Sequence, residues 1–275
     1  MIVVTGYGKT YQDVTAVSGL SFTVEPGQVL GLVGPNGAGK TTTIRAITGI
    51  IPPTEGALTI CGHDIVADPI KARQQLAYIP DDPQLFDLLT VYEHLMFSAR
   101  VYGLNSAELE ERGDRLLSRF ELLDKRDTPA SDLSRGMRQK VAISCAYLHE
   151  PKAILFDEPL TGLDPQAIRN LKNSIRERAT AGASVMISSH LLSLVEDLCT
   201  HILILDKGRR RFFGSLQELR TEYSSAESLE EVFFQATGMT EAAVLASGED
   251  QNTAVATPPP RVPETESGDA VEPPQ

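Results

Sequence analysis

A glycine-rich segment near the start of the chain has the residue types and spacing of a phosphate-binding loop. Its eight residues match the pattern G-x-x-x-x-G-K-[ST] and are Gly34, Pro35, Asn36, Gly37, Ala38, Gly39, Lys40 and Thr41. The glycines permit a tight turn, so that loop N–H groups and the N-terminus of a helix from Thr42 can surround an anion. The Lys40 ammonium would reach the β- and γ-phosphates of a nucleotide, and the Thr41 hydroxyl would bind Mg²⁺. The segment therefore predicts nucleotide binding, which kinases, GTPases and motor ATPases share.

Two carboxylates follow an apolar segment in the second half of the chain. Ala153–Phe156 reads as a buried strand, and Asp157 and Glu158 come directly after it. A carboxylate at a strand end suits a Mg²⁺ ligand, and a second one that faces differently can polarise a water for attack on the γ-phosphate. Asp157 fits the first role and Glu158 the second. Taken alone, the pair is explained equally well by the start of a helix.

Ser134 and His190 stand at the ends of two further elements. Ser134 precedes a helical pattern whose first turn contains Arg135 and Arg138 but no acidic residue. The free N–H groups of that turn can therefore bind an anion, although a plain N-cap also explains the serine. His190 follows the apolar run Val185–Ile187 closely. A single histidine at a strand end is more often structural than catalytic, so its meaning depends on the other motifs.

Four short apolar runs bounded by turn residues indicate the buried strands that must position these side chains. They are Val29–Val33, Ala153–Phe156, Ser184–Ile187 and Ile202–Leu205. Each has four or five residues, the length of central strands in a sheet that is covered on both faces. Helical patterns such as Thr42–Thr48 and Pro165–Ala179 lie between them. This alternation predicts an α/β fold with a largely parallel sheet.

Two segments depart from this alternation. Residues 85–150 contain mainly helical patterns, notably Val91–Tyr102 and Ser106–Leu123, and should form a helical insertion. Leu20–Val24 and Ala57–Cys61 read as strands of a smaller antiparallel sheet. The chain is therefore expected to carry two additions to its parallel core.

Residues 241–275 have a different composition. They hold six of the 17 prolines, and seven acidic residues against one basic residue, Arg261. Such a sequence cannot bury enough apolar surface to offset its ordering entropy, so we expect a disordered acidic tail. The folded domain is then residues 1–240.

The composition of the whole chain limits the class of protein. A formal net charge of -12 argues against a general nucleic-acid binder, which would normally be basic. No stretch approaches the ~20 apolar residues that cross a bilayer, and the N-terminal residues lack the regions of a signal peptide. The cysteines Cys61, Cys145 and Cys199 form no C-x-x-C pair, which favours reduced thiols. We therefore expect a cytoplasmic location.

The order and spacing of these motifs resemble the nucleotide-binding subunit of ABC transporters over about residues 7–240. Gly34–Thr41 matches the Walker A motif, and Ala153–Glu158 matches Walker B with its catalytic glutamate. Leu133–Gln139 matches the signature motif, with Arg135 in place of its first glycine and Met137 in place of its glutamine.

Three further positions extend the resemblance. Tyr11 precedes Gly34 by 23 residues, where the family has an aromatic residue that stacks on adenine. Gly162, Leu163 and Asp164 match the D-loop, and His190 matches the H-switch. The resemblance implies a P-loop NTPase with a RecA-like parallel core, a small antiparallel β subdomain and an inserted α-helical subdomain.

The resemblance also implies the cofactors and the roles of the site residues. ATP and Mg²⁺ are the expected cofactors, with Lys40, Glu158 and His190 in hydrolysis. The expected nucleotide contacts come from the Walker A loop with Thr42, and from Tyr11, Ser134, Gly136 and Asp164. The expected metal ligands are Thr41, Asp81 and Asp157. Two such domains are expected to pack head to tail, with each ATP between the Walker A loop of one and the signature of the other.

One position departs from the family pattern near the γ-phosphate. The glutamine of the Q-loop should follow Ile79-Pro80, and this chain has Asp81 there. An aspartate can offer an oxygen to Mg²⁺, but it adds negative charge beside the triphosphate. The coupling of Mg²⁺ to the membrane-domain contact is therefore expected to differ, while ATP binding is not.

The resemblance points to a subunit that energises transport, with export favoured by the ending Ser228–Phe234 followed by Thr237-Gly238. Its expected partners are integral-membrane subunits and a second ABC ATPase, with no nucleic acid, on the inner face of the cell membrane. One alternative is a soluble ABC ATPase acting on ribosomes or nucleic acid, supported by the basic cluster of Lys207 and Arg209–Arg211. The other is a non-hydrolysing regulatory subunit, which the intact motifs disfavour.

Overall fold

The computed structural model describes residues 1–224, 226 and 228–238. The tail predicted for residues 241–275 lies outside the described residues. Within the described residues the strands are β1 (Ile2–Tyr11), β2 (Val14–Val24), β3 (Val29–Val33), β4 (Glu55–Ile60), β5 (His63–Asp64), β6 (Leu76–Ile79), β7 (Ala153–Asp157), β8 (Ser184–Ser188), β9 (His201–Asp206) and β10 (Arg209–Ser215). The helices are α1 (Lys40–Ile47), α2 (Pro69–Gln74), α3 (Val91–Tyr102), α4 (Ser106–Arg119), α5 (Arg135–Tyr147), α6 (Pro165–Thr180), α7 (Leu192–Leu198), α8 (Leu216–Glu222) and α9 (Leu229–Thr237).

The larger sheet has the strand order β10-β9-β3-β8-β7-β6. Five of these strands pair in parallel, and β10 pairs antiparallel with β9 at one edge. The four apolar runs predicted as strands form β3, β7, β8 and β9, and each prediction is within one residue at either end. The α/β fold with a largely parallel sheet is therefore confirmed.

Side chains of the central strands alternate between two hydrophobic cores, one on each face of the sheet. In β3, Val29 and Val33 belong to one core, and Leu30 and Leu32 belong to the other. The first core continues into α3, α4 and α5, and the second into α1 and the smaller sheet. Every residue of β3 and β8 is buried, because helices or strands cover both faces.

Helices α3, α4 and α5 form the expected helical insertion. The bounds of α3 match the prediction, since Thr90 and Glu93 form a reciprocal capping box and Gly103, at φ 73°, ends the helix. The second prediction, Ser106–Leu123, was too long. α4 ends at Arg119, because Glu121 takes a left-handed backbone conformation (φ 58°) that a helix cannot continue through.

The smaller sheet is antiparallel throughout, in the order β2-β1-β4-β5. Leu20–Val24 is the second half of β2, and Ala57–Cys61 overlaps β4. Its central strand β1 was not predicted, because glycines and polar residues interrupt its alternation (Gly6, Gly8, Lys9). The Walker A loop lies between β3 of the larger sheet and α1, which packs toward this smaller sheet.

A half-buried histidine joins the ends of two helices of the insertion. The ring of His149, just after α5, stacks on Tyr102 at the end of α3, with centroids 3.6 Å apart and an interplanar angle of 3°. Burial lowers the pKa of His149 from 6.5 to about 4. Its folded pKa lies below its unfolded value, so the unfolded chain binds the proton first as the pH falls. The stability that the neutral ring contributes is thus complete above pH 6.5 and is lost progressively down to about pH 4.

We expect His149→Phe, which keeps a stacked ring without a titrating group, to flatten the pH dependence of stability. Between pH 6.5 and 4, its free energy of unfolding should fall less than that of the parent, by on the order of 1–2 kcal/mol. Urea denaturation at a series of pH values measures the difference. Parallel curves for the two proteins would show that His149 titrates normally in the folded chain.

Candidate functional site

The Walker A loop adopts a conformation that only glycine accommodates at its last turn. Gly39 caps α1 at φ 100°, and a Cβ there would lie 2.9 Å from the Ala16 carbonyl oxygen and 2.9 Å from Val17 Cγ2. No side chain caps α1, and its first turn contains no acidic residue. The first N–H groups of the helix are therefore open to an anion.

The Lys40 ammonium lies over this loop. Its Nζ donates to the Gly34 carbonyl oxygen at 2.6 Å and to the Pro35 carbonyl oxygen at 3.2 Å. Burial lowers the pKa of Lys40, whereas the charges of Glu158 and Asp157 raise it. The ammonium thus donates to backbone oxygens that phosphate oxygens could replace. It also lies close enough to both carboxylates for their charges to affect its pKa. Thr41 is exposed and Thr42 half-buried, so both remain accessible.

The two carboxylates lie at the carboxyl end of β7, beside the end of β8. Asp157 is the register partner of Ser188, and the Glu158 N–H donates to the Ser188 carbonyl oxygen at 3.0 Å. Glu158 has a left-handed backbone (φ 48°), which turns its side chain away from the direction set by the strand. Burial raises the pKa of both carboxyl groups, and the Lys40 charge opposes that rise in each.

His190 contacts the catalytic candidate directly. Its Nδ1 lies 2.8 Å from Glu158 Oε2, and the Ser189 hydroxyl donates to the same oxygen at 3.5 Å. Glu158 is mostly buried, whereas two thirds of the His190 side chain is exposed, 67% against 22%. Lys40, Asp157, Glu158 and His190 therefore converge at the carboxyl ends of β3, β7 and β8, where ligands bind in open α/β sheets.

A second group of predicted residues lies around the start of α5. Ser134 caps this helix, and its hydroxyl accepts from the Met137 N–H at 3.3 Å. Gly136 lies so close to the D-loop that an added Cβ would be 2.8 Å from the Gly162 carbonyl oxygen. Asp164 accepts from the Ala167 N–H at 2.8 Å and so caps α6. The signature and the D-loop are thus packed together, and none of the described hydrogen bonds or ion pairs joins them to Lys40 or His190.

Asp81 lies between the two groups. It follows β6, and its Oδ1 accepts from Arg135 Nη2 at 3.4 Å. Its charge contributes to the raised pKa of Asp157. The structure therefore brings Asp81 within electrostatic reach of the Walker B carboxylate, although its nearest cation is Arg135.

Tyr11 ends β1 with nearly half of its surface exposed, 45%. The Lys9 ammonium lies 5.0 Å from the centroid of its ring. An exposed aromatic ring with a cation beside it can stack on a nucleobase, but the described contacts do not join Tyr11 to Lys40 or Glu158.

Tyr78 is a site residue that the sequence reading missed. It lies in β6 beside β7, and burial, followed by the charge of Asp157 and a hydrogen bond to it, raises the Tyr78 pKa to about 12. The phenol therefore stays protonated beside Asp157. The short run Leu76–Ile79 before Pro80 has the length of a buried strand and was the available signal.

Fold and site together define a P-loop nucleotide hydrolase, and comparisons with known proteins identify the family. A family model described as ABC transporter matches residues 17–161. EcsA, an ABC-type transporter ATP-binding protein of Bacillus subtilis, is 41% identical over 79% of this chain and 89% of its own length. The Nod factor export ATP-binding protein I of Cupriavidus metallidurans is 37% identical over 77% of this chain and 70% of its own. A solved ATP-binding subunit of an ABC transporter superposes with a TM-score of 0.83 at 37% identity, over 86% of this chain and 99% of that one.

The chain belongs to the ABC transporter family. It is an ATP-binding subunit that hydrolyses ATP to energise transport, as its family and its converging site residues indicate. None of the helices among the described residues is long and apolar enough to cross a bilayer.

Proposed function

We propose that this chain hydrolyses Mg²⁺-bound ATP to drive export through separate integral-membrane subunits. The observation that carries hydrolysis is the convergence of Lys40, Asp157, Glu158 and His190, with His190 2.8 Å from the Glu158 carboxylate. Export is supported by the name of one relative, the Nod factor export ATP-binding protein I. Similarity thus supports the direction of transport, and the geometry of the site supports the assignment of the hydrolytic residues.

Mg²⁺ fits the donor set at this site. Among the described residues there is no cluster of three or more His, Cys, Asp or Glu side chains that could hold a metal ion. Mg²⁺ does not need one, because it is usually bound by one or two carboxylates together with substrate phosphates and water. Asp157 and the exposed Thr41 hydroxyl would hold it, with Asp81 within reach. Mg²⁺ would offset the charge of the triphosphate beside these carboxylates.

The catalytic groups support a division of roles around the γ-phosphate. Glu158, whose pKa burial raises, would act as general base toward a water molecule. His190 orients that carboxylate and, being mostly exposed, can turn toward the phosphate. Lys40 would exchange the Gly34 and Pro35 carbonyl oxygens for phosphate oxygens.

Two copies of the domain are needed to complete the site. Ser134 and Gly136 lie with the D-loop, and none of the described hydrogen bonds or ion pairs joins them to Lys40, so we expect the signature to act on the ATP of another copy. A head-to-tail pair would place the acid-free first turn of α5 against the ATP held by the other copy.

An exposed apolar patch on α3 and the loop before it suits a membrane partner. We call Phe86, Leu88, Phe97 and Val101 the α3 patch; they are 56%, 90%, 51% and 64% exposed. The rings of Phe86 and Phe97 lie 5.5 Å apart, and the Phe86 N–H donates to His94 Nε2 at 3.0 Å, which holds the loop on α3. Such grouping of exposed apolar side chains marks an interaction surface. Its occupant would be a cytoplasmic segment of the membrane subunit, which places the chain on the inner face of the membrane.

The alternative, action on ribosomes or nucleic acid, loses part of its support. Arg210 donates to the Ser21 carbonyl oxygen at 2.9 Å, and Arg211 forms an ion pair with Asp206. Half of the basic cluster is therefore used within the fold. We also propose that residues 1–240 form the ATPase domain, with the acidic segment 241–275 dispensable for hydrolysis.

Membrane association tests this function. We expect the tagged chain to co-purify with an integral-membrane protein from solubilised membranes. We expect Leu88→Glu to reduce that recovery by about tenfold or more, because it places a charge in an apolar contact. The matched control is Ile70→Glu, which adds the same charge at an apolar residue on α2 that is 72% exposed.

Quantitative mass spectrometry of the purified material measures recovery, and circular dichroism checks the fold of both variants. Equal losses for both variants would remove the α3 patch as the docking surface. Co-sedimentation with ribosomes in place of a membrane protein would favour the soluble alternative.

A further inference from the structure

Two of the three positions where this chain departs from the family pattern contact each other. Arg135 replaces a glycine of the signature and Asp81 replaces the glutamine of the Q-loop, 54 residues apart in sequence. In the structure Arg135 Nη2 lies 3.4 Å from Asp81 Oδ1. Each departure therefore supplies the charge partner of the other, and the pair joins the signature to the Q-loop within one chain.

The aliphatic part of the Arg135 side chain is packed, whereas its guanidinium group is exposed to solvent. It is the first residue of α5, next to Ser134, and its aliphatic part lies against the D-loop, where a Cβ on Gly162 would be 3.2 Å from Arg135 Cδ. The side chains of Arg135 and Asp81 are 52% and 46% exposed. An ion pair so open to solvent contributes little to stability, so either partner can leave it at small cost.

Asp81 also lies at the same edge of the sheet as Asp157. The parallel register pairs Ile79 of β6 with Phe156 of β7, so Asp81, two residues after β6, and Asp157, at the end of β7, follow neighbouring strands. Without a cation, the like charges of the two carboxylates repel each other. A divalent cation bound at Asp157 would reverse that repulsion into an attraction for Asp81. Asp81 thus has two competing partners, the Arg135 guanidinium and a cation at Asp157.

We propose that the Asp81–Arg135 ion pair is a switch that couples Mg²⁺-bound ATP on one copy to the ATP carried by the second copy. Without Mg²⁺, Asp81 holds the Arg135 guanidinium. Once Asp81 turns to the cation, Arg135 is released beside Ser134 and donates to the phosphates of the ATP on the other copy. The proposal rests on the head-to-tail site proposed above. It assigns phosphate binding to Arg135, at a position where the signature motif of the family has a glycine.

The neighbouring ion pair provides a matched control. Arg138, also in the first turn of α5, donates to Asp87 Oδ1 at 3.0 Å and to the Ala130 carbonyl oxygen at 3.0 Å. It too joins α5 to the loop after β6. A pair with only a structural role would behave as Arg138–Asp87 does, whereas a switch would respond to Mg²⁺.

The test measures ATP-dependent dimerisation by light scattering in a Glu158→Gln background, with Mg²⁺ or with EDTA. We expect Asp81→Asn to bring dimerisation in EDTA close to that in Mg²⁺, because Arg135 no longer needs to be released. We expect Arg135→Gln to weaken the dimer about tenfold in Mg²⁺, the usual size of one interfacial charge contact. The double variant should behave like Arg135→Gln alone, since Asp81 acts through Arg135. Asp87→Asn should leave the Mg²⁺ dependence unchanged.

The outcomes distinguish failure of the switch from failure of the proposed head-to-tail site. If the Glu158→Gln parent forms no dimer with ATP and Mg²⁺, the head-to-tail site fails and the switch fails with it. If the parent dimerises but Asp81→Asn and Arg135→Gln behave like Asp87→Asn, only the switch is overturned. Thermal unfolding of each variant detects a purely structural effect, which would lower Tm while leaving the Mg²⁺ dependence intact.

Discussion

Lys40→Ala should leave a folded chain that binds ATP far more weakly and hydrolyses none of it. The Lys40 ammonium now donates to two backbone carbonyl oxygens, at 2.6 and 3.2 Å, and is poised to donate to phosphate instead. A hydrogen bond to a charged group contributes about 1.5–3 kcal/mol, which corresponds to a ~10–150-fold increase in the Kd for ATP for each bond lost. Hydrolysis should stop because the ammonium that would stabilise the charge of the γ-phosphate at this position is gone.

Calorimetric titration with ATP measures the affinity, and release of inorganic phosphate measures the rate. Lys71→Ala is the control, because Lys71 is an exposed lysine on α2 whose partner is Asp68. The control should match the parent in both measurements. Parent-like hydrolysis in Lys40→Ala would remove the phosphate-binding role of the Walker A loop.

The parts of the fold that could be read from the sequence are those fixed by local patterns. β3 was predicted to the residue because five consecutive apolar or small positions, all buried, stand between turn residues. α3 was predicted to the residue because Thr90, Glu93 and Gly103 supply its caps within the same short segment. The catalytic candidates were found for the same reason, since each follows an apolar strand or opens a helix.

The parts that could not be read depend on partners distant in sequence. β1 is held between β2 and β4, and its own alternation is broken by glycines and bulges. Tyr78 became visible only once β6 lay beside β7 and its phenol reached Asp157. The contact between Arg135 and Asp81 likewise joins the start of α5 to the loop after β6, which no periodicity relates. Sequence therefore identifies which groups can do chemistry, and tertiary structure decides which of them meet.

The proposed head-to-tail arrangement brings the signature of one copy to the ATP held by the other. Lys40, Asp157, Glu158 and His190 form one cluster, while Ser134, Gly136 and the D-loop form another. The second cluster is a helix start whose first turn contains no acidic residue and can bind an anion. Hydrolysis should therefore depend on the association of two copies. A substitution in the first cluster should slow hydrolysis, whereas a substitution in the second should prevent the dimer.

Glu158→Gln should retain ATP binding, lose ~10²–10⁴-fold in hydrolysis rate, and accumulate as an ATP-dependent dimer. Glutamine keeps an oxygen that can face His190, but it cannot accept a proton from the attacking water. Unhydrolysed ATP then stays between the two copies, which stabilises the dimer by mass action. Light scattering with and without ATP measures the dimer, and phosphate release measures the rate.

Adding a charge at Ser134 should break that dimer while leaving ATP binding by the single chain nearly unchanged. Ser134→Asp and Ser134→Asn both keep an acceptor for the Met137 N–H, and aspartate and asparagine cap helices about as well as serine. The two variants therefore differ only in charge, and only the aspartate opposes a phosphate from the second copy. In the Glu158→Gln background we expect Ser134→Asn to dimerise with ATP and Ser134→Asp to remain monomeric. A Ser134→Asp protein that still dimerised on ATP would contradict the head-to-tail arrangement, because a carboxylate cannot replace a phosphate-binding hydroxyl at that interface.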